Sequence, residues 1–266
     1  MADLSVSVVL YHTDKGELYN LLKSFIKSNL SIDIFLIDNS ASDELREISL
    51  VFDNSIYIFN GKNIGYGAGH NIAINRSNSK YHLIVNADIE FDPQILNTAL
   101  EFMNDNPDVG MISPQIILPN GEMQFFCRKL PTPFDLFARR FIPSFIKPIF
   151  KKQLDEYLLA DRDYSKPMNI PNLPGCFMFM RMSVLKEVAG FDENFFMYVE
   201  DIDLTRRIHE KSKTLYLPEI KIAHGLARGS YKFSKLMLYH IQSAAYYFNK
   251  WGWFNDEQRV KINKAL

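Results

Sequence analysis

The sequence predicts an α/β fold, with a mostly parallel central sheet flanked by helices, a smaller mixed region and helices at the C-terminal end. Three observations predict it. Apolar strand-like runs alternate with helix-period segments through the first hundred residues. Those runs are continuous rather than alternating, as in strands covered on both faces. Polar residues then gather where these runs end, on the rim where ligands sit in open parallel sheets.

The elements follow in order. Val6–Leu10 reads as a first buried strand, and Leu18, Leu21, Leu22, Phe25 and Ile26 recur at helical spacing. Ile32–Ile37 is a second strand, ending in Asp38-Asn39-Ser40. Ser42–Val51 is predicted as a helix and Ile56–Phe59 as a third strand. A glycine-rich loop from Gly61 to Gly69 then opens a helix through Ile72 and Ile74. Tyr81–Val85 is a fourth strand, followed by Asn86-Ala87-Asp88-Ile89-Glu90. Asp92-Pro93 predicts a helix start, aspartate at the cap and proline in the first turn. The order βαβαβαβα implies right-handed crossovers.

The second half is mixed. Met111–Ile117 is strand-like, and Pro119-Asn120-Gly121 predicts a turn before a strand at Glu122–Phe126. Residues 131–170 are expected to be irregular, because prolines recur at Pro131, Pro133, Pro143, Pro148 and Pro167. Gly175–Met180 is a strand. Ser183 is expected to cap a short helix ending at Gly190, and Asp201 begins another that runs to about Glu210. Leu215–Leu217 and Ile220–Ala223 are predicted as separate short strands, and Phe233–Trp251 as a helix.

Composition narrows the function classes. Apolar residues make up 47% and charged residues 23%, which excludes a disordered chain. The net charge is −1, so no global field favours nucleic acid. Aromatic residues reach 14%, which suits stacking pockets as well as a core. Cys127 and Cys176 form neither a disulfide framework nor a metal motif and are expected to be buried reduced thiols. The start Met-Ala-Asp-Leu-Ser is not a signal peptide, and no run reaches the ~18 apolar residues of a membrane span. A cytoplasmic protein is expected, one that can still lie on the inner face of a membrane.

Three positions carry the chemistry. Asp88 ends the fourth strand, Glu200-Asp201-Ile202-Asp203 opens a helix, and His224 ends a later strand. An acidic tip, an acidic helix start and a downstream histidine suggest a metal-diphosphate site with a base nearby. Each has a plainer reading: a solvated strand-end aspartate, helix N-terminal acids favoured by the dipole, and a structural histidine. Glu90 either reaches a metal through water or faces solvent, and Asp92 reads as a cap rather than a ligand. Asp203 and Arg206 are expected to pair. His12, His70, His82, His209 and His240 carry no such pattern. The glycines at 65, 67 and 69 permit positive φ and close backbone approach to a ligand. The loop follows the third strand rather than the first, which argues against a dinucleotide fingerprint.

Taken together, several segments resemble the family 2 glycosyltransferases of the GT-A (Rossmann-like) fold, in their rhamnosyltransferase-like branch. These are Val6-Ser7-Val8-Val9-Leu10-Tyr11, Ile37-Asp38-Asn39-Ser40, Asn63-Ile64-Gly65-Tyr66-Gly67-Ala68-Gly69-His70-Asn71 and Val85-Asn86-Ala87-Asp88. Further on come Pro174-Gly175-Cys176-Phe177, Gly190-Phe191-Asp192-Glu193 and Glu200-Asp201-Ile202-Asp203-Leu204-Thr205-Arg206-Arg207. The resemblance spans roughly residues 5–250 and implies an inverting, metal-dependent hexosyltransferase. It implies that Asp88 and His224 hold a divalent metal, Mn²⁺ or Mg²⁺, with Asn86 where the family usually has a first aspartate. It makes Asp201 the general base, its proton affinity raised by Glu200 and Asp203.

Tyr11, Asp38, Asn63, Gly65, Gly67, Asn71 and Asn86 become nucleotide-binding candidates, Asp38 as a contact to base and ribose. Gly175, Cys176 and Glu200 lie on the acceptor side, where Gly175 leaves room for the sugar. Arg128, Arg228 and Lys232 are candidate phosphate contacts, or solvated cations. The implied donor is a nucleotide-sugar, dTDP-rhamnose first and a UDP-hexose second, and the acceptor a saccharide or lipid-linked saccharide of a cell-surface polysaccharide. Residues 1–266 are expected to form one domain: a nucleotide-sugar-binding half over about 1–105, an acceptor and catalytic half over about 106–230, and a helical segment over about 231–266.

The stretch from Arg128 to Lys152 mixes basic and aromatic residues, including Lys129, Arg139, Arg140, Lys147 and Lys151. It suits either contact with an anionic membrane surface or a flap packed over the acceptor site. Two other classes stay open. A sugar nucleotidyltransferase should carry a basic glycine-rich loop after its first strand, where this chain has Tyr11-His12-Thr13-Asp14. A non-catalytic carbohydrate-binding protein would not need Asp201.

Overall fold

In the computed structural model, residues 2–28, 30–141, 147–225 and 235–266 are described, the side chains of 138–148 excepted. The first half runs β1 (Leu4–Leu10), α1 (Lys15–Ile26), β2 (Ile32–Asp38), α2 (Arg46–Ser49), β3 (Ser55–Phe59), α3 (Tyr66–Arg76), β4 (Tyr81–Val85), β5 (Ile89–Phe91) and α4 (Gln94–Asp105). The second runs β6 (Val109–Ile117), α5 (Pro133–Phe141), a 3-10 turn at Lys147–Phe150, α6 (Lys151–Tyr157), β7 (Met168–Asn169), β8 (Phe177–Arg181), α7 (Met182–Glu187), α8 (Glu200–His209), β9 (Lys213–His224), α9 (Lys235–Trp251) and α10 (Glu257–Lys264).

One sheet joins them in the order β3-β2-β1-β4-β8-β6-β9-β5, with β7 also on β9. The first four are parallel, as the alternating pattern predicts. β8 runs antiparallel to both β4 and β6, and β6 is parallel to β9. The sheet therefore changes from parallel to mixed where β8 enters, between the two halves of the chain.

The alternation of β1 decides what covers each face. Leu4, Val6, Val8 and Leu10 are fully buried in one core with Leu18, Leu21, Leu22 and Phe25 of α1. Each such side chain contributes ~1.5–3 kcal/mol on burial, far more than helix propensity supplies. On the other face, α3 lies against Val9 and Ser7. There a polar chain crosses the core: His70 Nδ1 to Ser7 Oγ (2.7 Å), Ser7 Oγ to His82 Nε2 (2.9 Å) and His82 Nδ1 to Ser5 Oγ (2.7 Å). Burial holds both imidazoles neutral, with His82 pushed down to about 3 and His70 well below the usual histidine range.

Several expectations are corrected. The helix predicted over 42–51 is a single turn at Arg46–Ser49. Glu122–Phe126 is not a strand: past the turn at Gly121 only an isolated bridge joins Met123 to Ile117. The predicted irregular stretch is largely helical. Pro133 sits where a helix tolerates it, opening α5. Thr132 and Asp135 form a reciprocal cap there, Asp135 Oδ2 accepting from the Thr132 N–H (2.8 Å) and hydroxyl (2.7 Å). α7 has no side-chain cap from Ser183. The two short strands predicted near 215–223 are one strand, β9, with an irregularity opposite Pro114/Gln115.

Candidate active site

β4 delivers Asn86 and Asp88 to the carboxyl edge of the sheet. The next strand, β5, pairs antiparallel with β9 so that Ile89 stands opposite His224. This register sets His224 Nε2 3.3 Å from Asp88 Oδ2, both side chains partly exposed. The Gly225 N–H donates to the Asp88 carbonyl (3.0 Å) and fixes the backbone there. One oxygen and one nitrogen donor thus face a common point.

Asp201 arrives from the other side, in the first turn of α8. Its Oδ2 accepts from the Gly175 N–H (3.0 Å) and its Oδ1 from the Ile202 N–H (2.9 Å). Gly175 belongs to the segment that enters β8, and the next carbonyl, that of Cys176, accepts from the Asn86 N–H (3.0 Å). The tip of β4 and the start of α8 are therefore linked through two consecutive residues. Burial first, then the charges of Asp88 and Asp201, push the Cys176 thiol up to about 12. Both acids act on one buried sulfur. Cys127 and Cys176 are both buried free thiols.

The acids of α8 separate into two roles. Burial raises Asp201, opposed by the Arg128 guanidinium and then by the two backbone donors. Glu200 is 6% exposed, and burial followed by the Asp201 charge pushes it up to about 8. Its Oε2 is buried without a hydrogen-bond partner among the described residues. Asp203 takes no part, contrary to expectation. It points away, fully buried, accepting from Arg207 Nε (2.8 Å) and Trp251 Nε1 (2.8 Å) and lying 2.8 Å from Lys250 Nζ. Nor does it pair with Arg206, whose guanidinium instead grips Asp256 (2.7 and 2.9 Å).

Just before α8, Tyr198 (φ 68°) and Val199 (φ 69°) are both left-handed. A β-branched residue there costs on the order of 1–3 kcal/mol, strain that surrounding structure must hold and that clusters at functional sites. The two residues flank a cavity of about 340 Å³ lined by Arg128, Asp135, Leu136, Tyr157, Glu200 and Asp201. Arg128 Nε is also buried without a hydrogen-bond partner among the described residues. An unmet buried polar group costs ~1–3 kcal/mol, so two on one cavity wall mark a surface built for something else to complete.

The donor-side candidates fare differently. Tyr11 is 47% exposed at the end of β1, open to stacking. Asp38 is fully buried at the end of β2, with Oδ1 accepting from the Ser40 N–H (2.8 Å) and Oδ2 from the Tyr57 hydroxyl. Asn63 Oδ1 accepts from the Gly65 N–H (2.9 Å), turning the loop. Asn71, in α3, is bonded within the protein as well. Its Nδ2 donates to the Phe191 carbonyl and Glu193, and its Oδ1 accepts from the Phe191 N–H, all at 2.9 Å. The glycines are closely approached by other parts of the protein. A Cβ on Gly65 would lie 2.7 Å from the Phe196 carbonyl, one on Gly67 2.8 Å from Phe191 and one on Gly69 2.7 Å from Val9. Only Gly65 of the three has positive φ, at 101°. At Gly175 the room expected for a sugar is taken by Asp201, whose Cβ is 3.1 Å from where a side chain would begin.

Sequence reasoning missed Tyr66, whose hydroxyl contacts both Asn86 and Gly175, and Asp135 on the cavity wall. The cap-proline-acid order of Thr132-Pro133-Phe134-Asp135 was the available signal for the second. Glu90 is exposed on β5, and Asp92 caps α4 through the Gln94 N–H (3.0 Å). Arg228 and Lys232 lie outside the described residues, as does much of the basic aromatic stretch. What is described of it packs inward: Leu136 is buried among Phe195, Val199, Ile202 and Phe248, although Ile149 is 76% exposed.

The family model for glycosyl transferase family 2 matches residues 5–189. The chain belongs to this family. Across its whole length the family 2 chain is 23% identical to an N-acetylglucosaminyl-diphospho-decaprenol L-rhamnosyltransferase of Mycobacterium tuberculosis, covering 91% of that protein. It is 26% identical to the rhamnosyltransferase WbbL of Escherichia coli, over 90% of each chain. It is also 26% identical to Agl10 of Haloferax volcanii, a low-salt glycan biosynthesis hexosyltransferase, over 79% of this chain and 62% of that one.

Solved structures show the same GT-A fold at low identity. GalNAc-T7, crystallised with UDP, GalNAc and Mn²⁺, superposes with a TM-score of 0.64 at 14% identity, over 93% of this chain and 48% of the other. The family 2 chain thus spans about half that protein's length. The mannosyltransferase PcManGT of Pyrobaculum calidifontis, crystallised with GDP-Man and Mn²⁺, superposes with a TM-score of 0.61 at 13% identity, over 99% and 73%. The chain is a glycosyltransferase of the hexosyltransferase kind. No described helix is long and apolar enough to cross a membrane.

Proposed function

We propose that this glycosyltransferase moves rhamnose from dTDP-rhamnose to a lipid-linked saccharide, with inversion, in the synthesis of a cell-surface polysaccharide. The observation that carries this reading is the pairing of Asp88 with His224 (3.3 Å) beside Asp201, joined through Gly175 and Cys176. The named activities of the mycobacterial and enterobacterial relatives support the sugar and the acceptor class.

The residues fit a divalent metal. Two adjacent donors, an oxygen and a nitrogen, leave the remaining positions to diphosphate oxygens and water, and among the described residues no group of three or more His, Cys, Asp or Glu closes a metal site. The imidazole favours Mn²⁺ over Mg²⁺. Bound by Asp88 and His224, the ion supplies neutralisation of the charge that grows on the departing diphosphate. Tyr11 offers an exposed ring to the nucleobase from the strand tips of the first hundred residues. The cavity walled by Arg128, Tyr157 and Glu200 receives the acceptor saccharide. Asp201, held by two backbone N–H groups, takes the proton of the attacking hydroxyl. That oxygen attacks the anomeric carbon from the face opposite the leaving group. The buried part of the 128–152 stretch forms a flap on this cavity, and its exposed Ile149 faces a membrane carrying the acceptor.

The deciding experiment is a panel of nucleotide-sugar donors with a lipid-linked GlcNAc diphosphate acceptor, scored by nucleotide diphosphate release with and without Mn²⁺. Metal-dependent release from dTDP-rhamnose and an inverted anomeric coupling in the product are expected. Preference for a UDP-hexose would instead favour the second reading, which the likeness to the Haloferax hexosyltransferase supports. Release of nothing from any donor overturns both.

A further inference from the structure

Tyr66 stands at the first position of α3, with its ring held edge-on against His70 (centroids 4.4 Å apart) and Phe191 (6.2 Å). Its hydroxyl oxygen lies 2.9 Å from Asn86 Oδ1 and 2.8 Å from the Gly175 carbonyl. Burial, and then the Cys176 thiol and the carboxyls of Glu200, Asp201 and Asp88, hold this phenol protonated. It has one proton, yet it meets two acceptors. Turning the Asn86 amide by 180° resolves the count, since oxygen and nitrogen exchange places without a change of shape. Nδ2–H then donates to the phenol oxygen, and the phenol O–H donates to Gly175.

We propose that Tyr66 is a positioning residue and that its phenol dictates an amide, not a carboxylate, at position 86. The directed chain runs from Asn86 Nδ2–H to Tyr66, from Tyr66 O–H to the Gly175 carbonyl, and from the Gly175 N–H to Asp201 Oδ2. It ties the strand tip that carries Asp88 to the helix start that carries Asp201, so the two halves of the site keep one spacing. A carboxylate at 86 offers acceptor oxygens only and lacks the amide N–H. It would confront the phenol oxygen with a second acceptor and pull the phenol proton away from Gly175. Without the phenol, that conflict disappears.

The proposal rests on the glycosyltransferase reading only for its kinetic readout. Its test is a double-mutant cycle of Tyr66→Phe and Asn86→Asp, followed by thermal unfolding at neutral pH and by nucleotide diphosphate release. Asn86→Asp is expected to lower the melting temperature by about 3–6 °C in the parent and by less than about 1 °C in the Tyr66→Phe background. The same substitution is expected to cut kcat at least ~10-fold with donor KM moved less than ~3-fold, and to add little once Tyr66 is Phe. Equal melting shifts in both backgrounds overturn the proposal. Coupled shifts in a protein that releases no nucleotide diphosphate would leave the hydrogen-bond chain standing and remove the transferase reading instead. Should Asn86→Asp not fold, Asn86→Ala replaces it: its loss and that of Tyr66→Phe must fail to add, because each breaks the same bond, and full additivity overturns the proposal.

Discussion

The parallel half of the sheet and the mixed half use their polar groups in opposite ways. At the tip of β2 and from Gly65 through the first turns of α3, nearly every singled-out residue is already bonded or packed within the protein. Asp38 is taken by Ser40 and Tyr57, Asn71 by Phe191 and Glu193, and the glycines by close packing on Val9, Phe191 and Phe196. Around α8 the reverse holds. Glu200 Oε2 and Arg128 Nε are buried without a hydrogen-bond partner among the described residues, and two left-handed residues precede the helix. A motif residue whose bonds are all internal shapes the frame, whereas Glu200 and Arg128 turn such atoms to the cavity; others lie away from it, at His70, Arg206 and Arg207. The two kinds of residue respond differently to substitution.

The largest effect is expected at Asp201. Asp201→Asn keeps the shape and removes the base, so nucleotide diphosphate release should fall by ~10³–10⁴-fold. Burial raises this carboxyl, so removing its charge offsets part of the cost of turning an amide N–H toward one of the Gly175 and Ile202 donors, and the melting temperature should change little. A variant that melts normally and still turns over at more than a tenth of the parent rate would break the comparison at its centre. Next comes Asp88→Ala, expected to cost ~10²–10³-fold, with chelation giving a loss of the same order that added Mn²⁺ reverses. Undiminished activity in a strong chelator would show that the Asp88–His224 pair does another job.

On the frame side the signature inverts. Gly67→Ala drives a Cβ to 2.8 Å from Phe191, an overpacking worth ~1–3 kcal/mol. For a domain of this size each kcal/mol lowers the melting temperature by about 2–4 °C. Donor KM should move little, since no donor atom need occupy that space. A tight-melting Gly67→Ala protein with donor KM raised tenfold would return this glycine to the nucleotide.

What the sequence disclosed follows from where each signal originates. The apolar runs of β1, β2 and β4 are local, and they set the parallel half and its ligand-bearing rim. Asp88, Asp201 and His224 were legible as strand and helix ends, because position along an element is also local. Their meeting depends on the pairing of β5 with β9 and on the Gly175 segment, which the sequence does not encode at short range. The bonding of Asp38 was hidden for the same reason: Tyr57, whose hydroxyl donates to its carboxylate, comes from a neighbouring strand. The glycines read as ligand contacts because Phe191 and Phe196, which fill the space, lie more than a hundred residues away in sequence. Helix α5 was hidden differently, since proline counted as a breaker when it was an opener after Thr132.

The smallest effect on rate, and the most specific one on stability, belongs to Glu200. Its carboxyl is raised from 4.5 to about 8, first by burial and then by Asp201. Between those values the folded chain holds a proton that the unfolded chain releases, so stability must fall as pH rises from about 5 to 8. Glu200→Gln deletes this contribution and keeps a neutral group able to donate and accept on the cavity wall. The variant should therefore lose several degrees less than the parent in melting temperature across that range, and at pH 8 it should be the more stable protein. Some slope remains in both, because Asp201 is raised as well. Turnover near neutral pH should stay within ~10-fold of the parent, since the parent group is itself mostly uncharged there. Identical melting slopes in the two proteins would place the unmet proton elsewhere. A turnover loss as deep as that of Asp201→Asn would make Glu200 a second base, and the division between the two acids of α8 would fall.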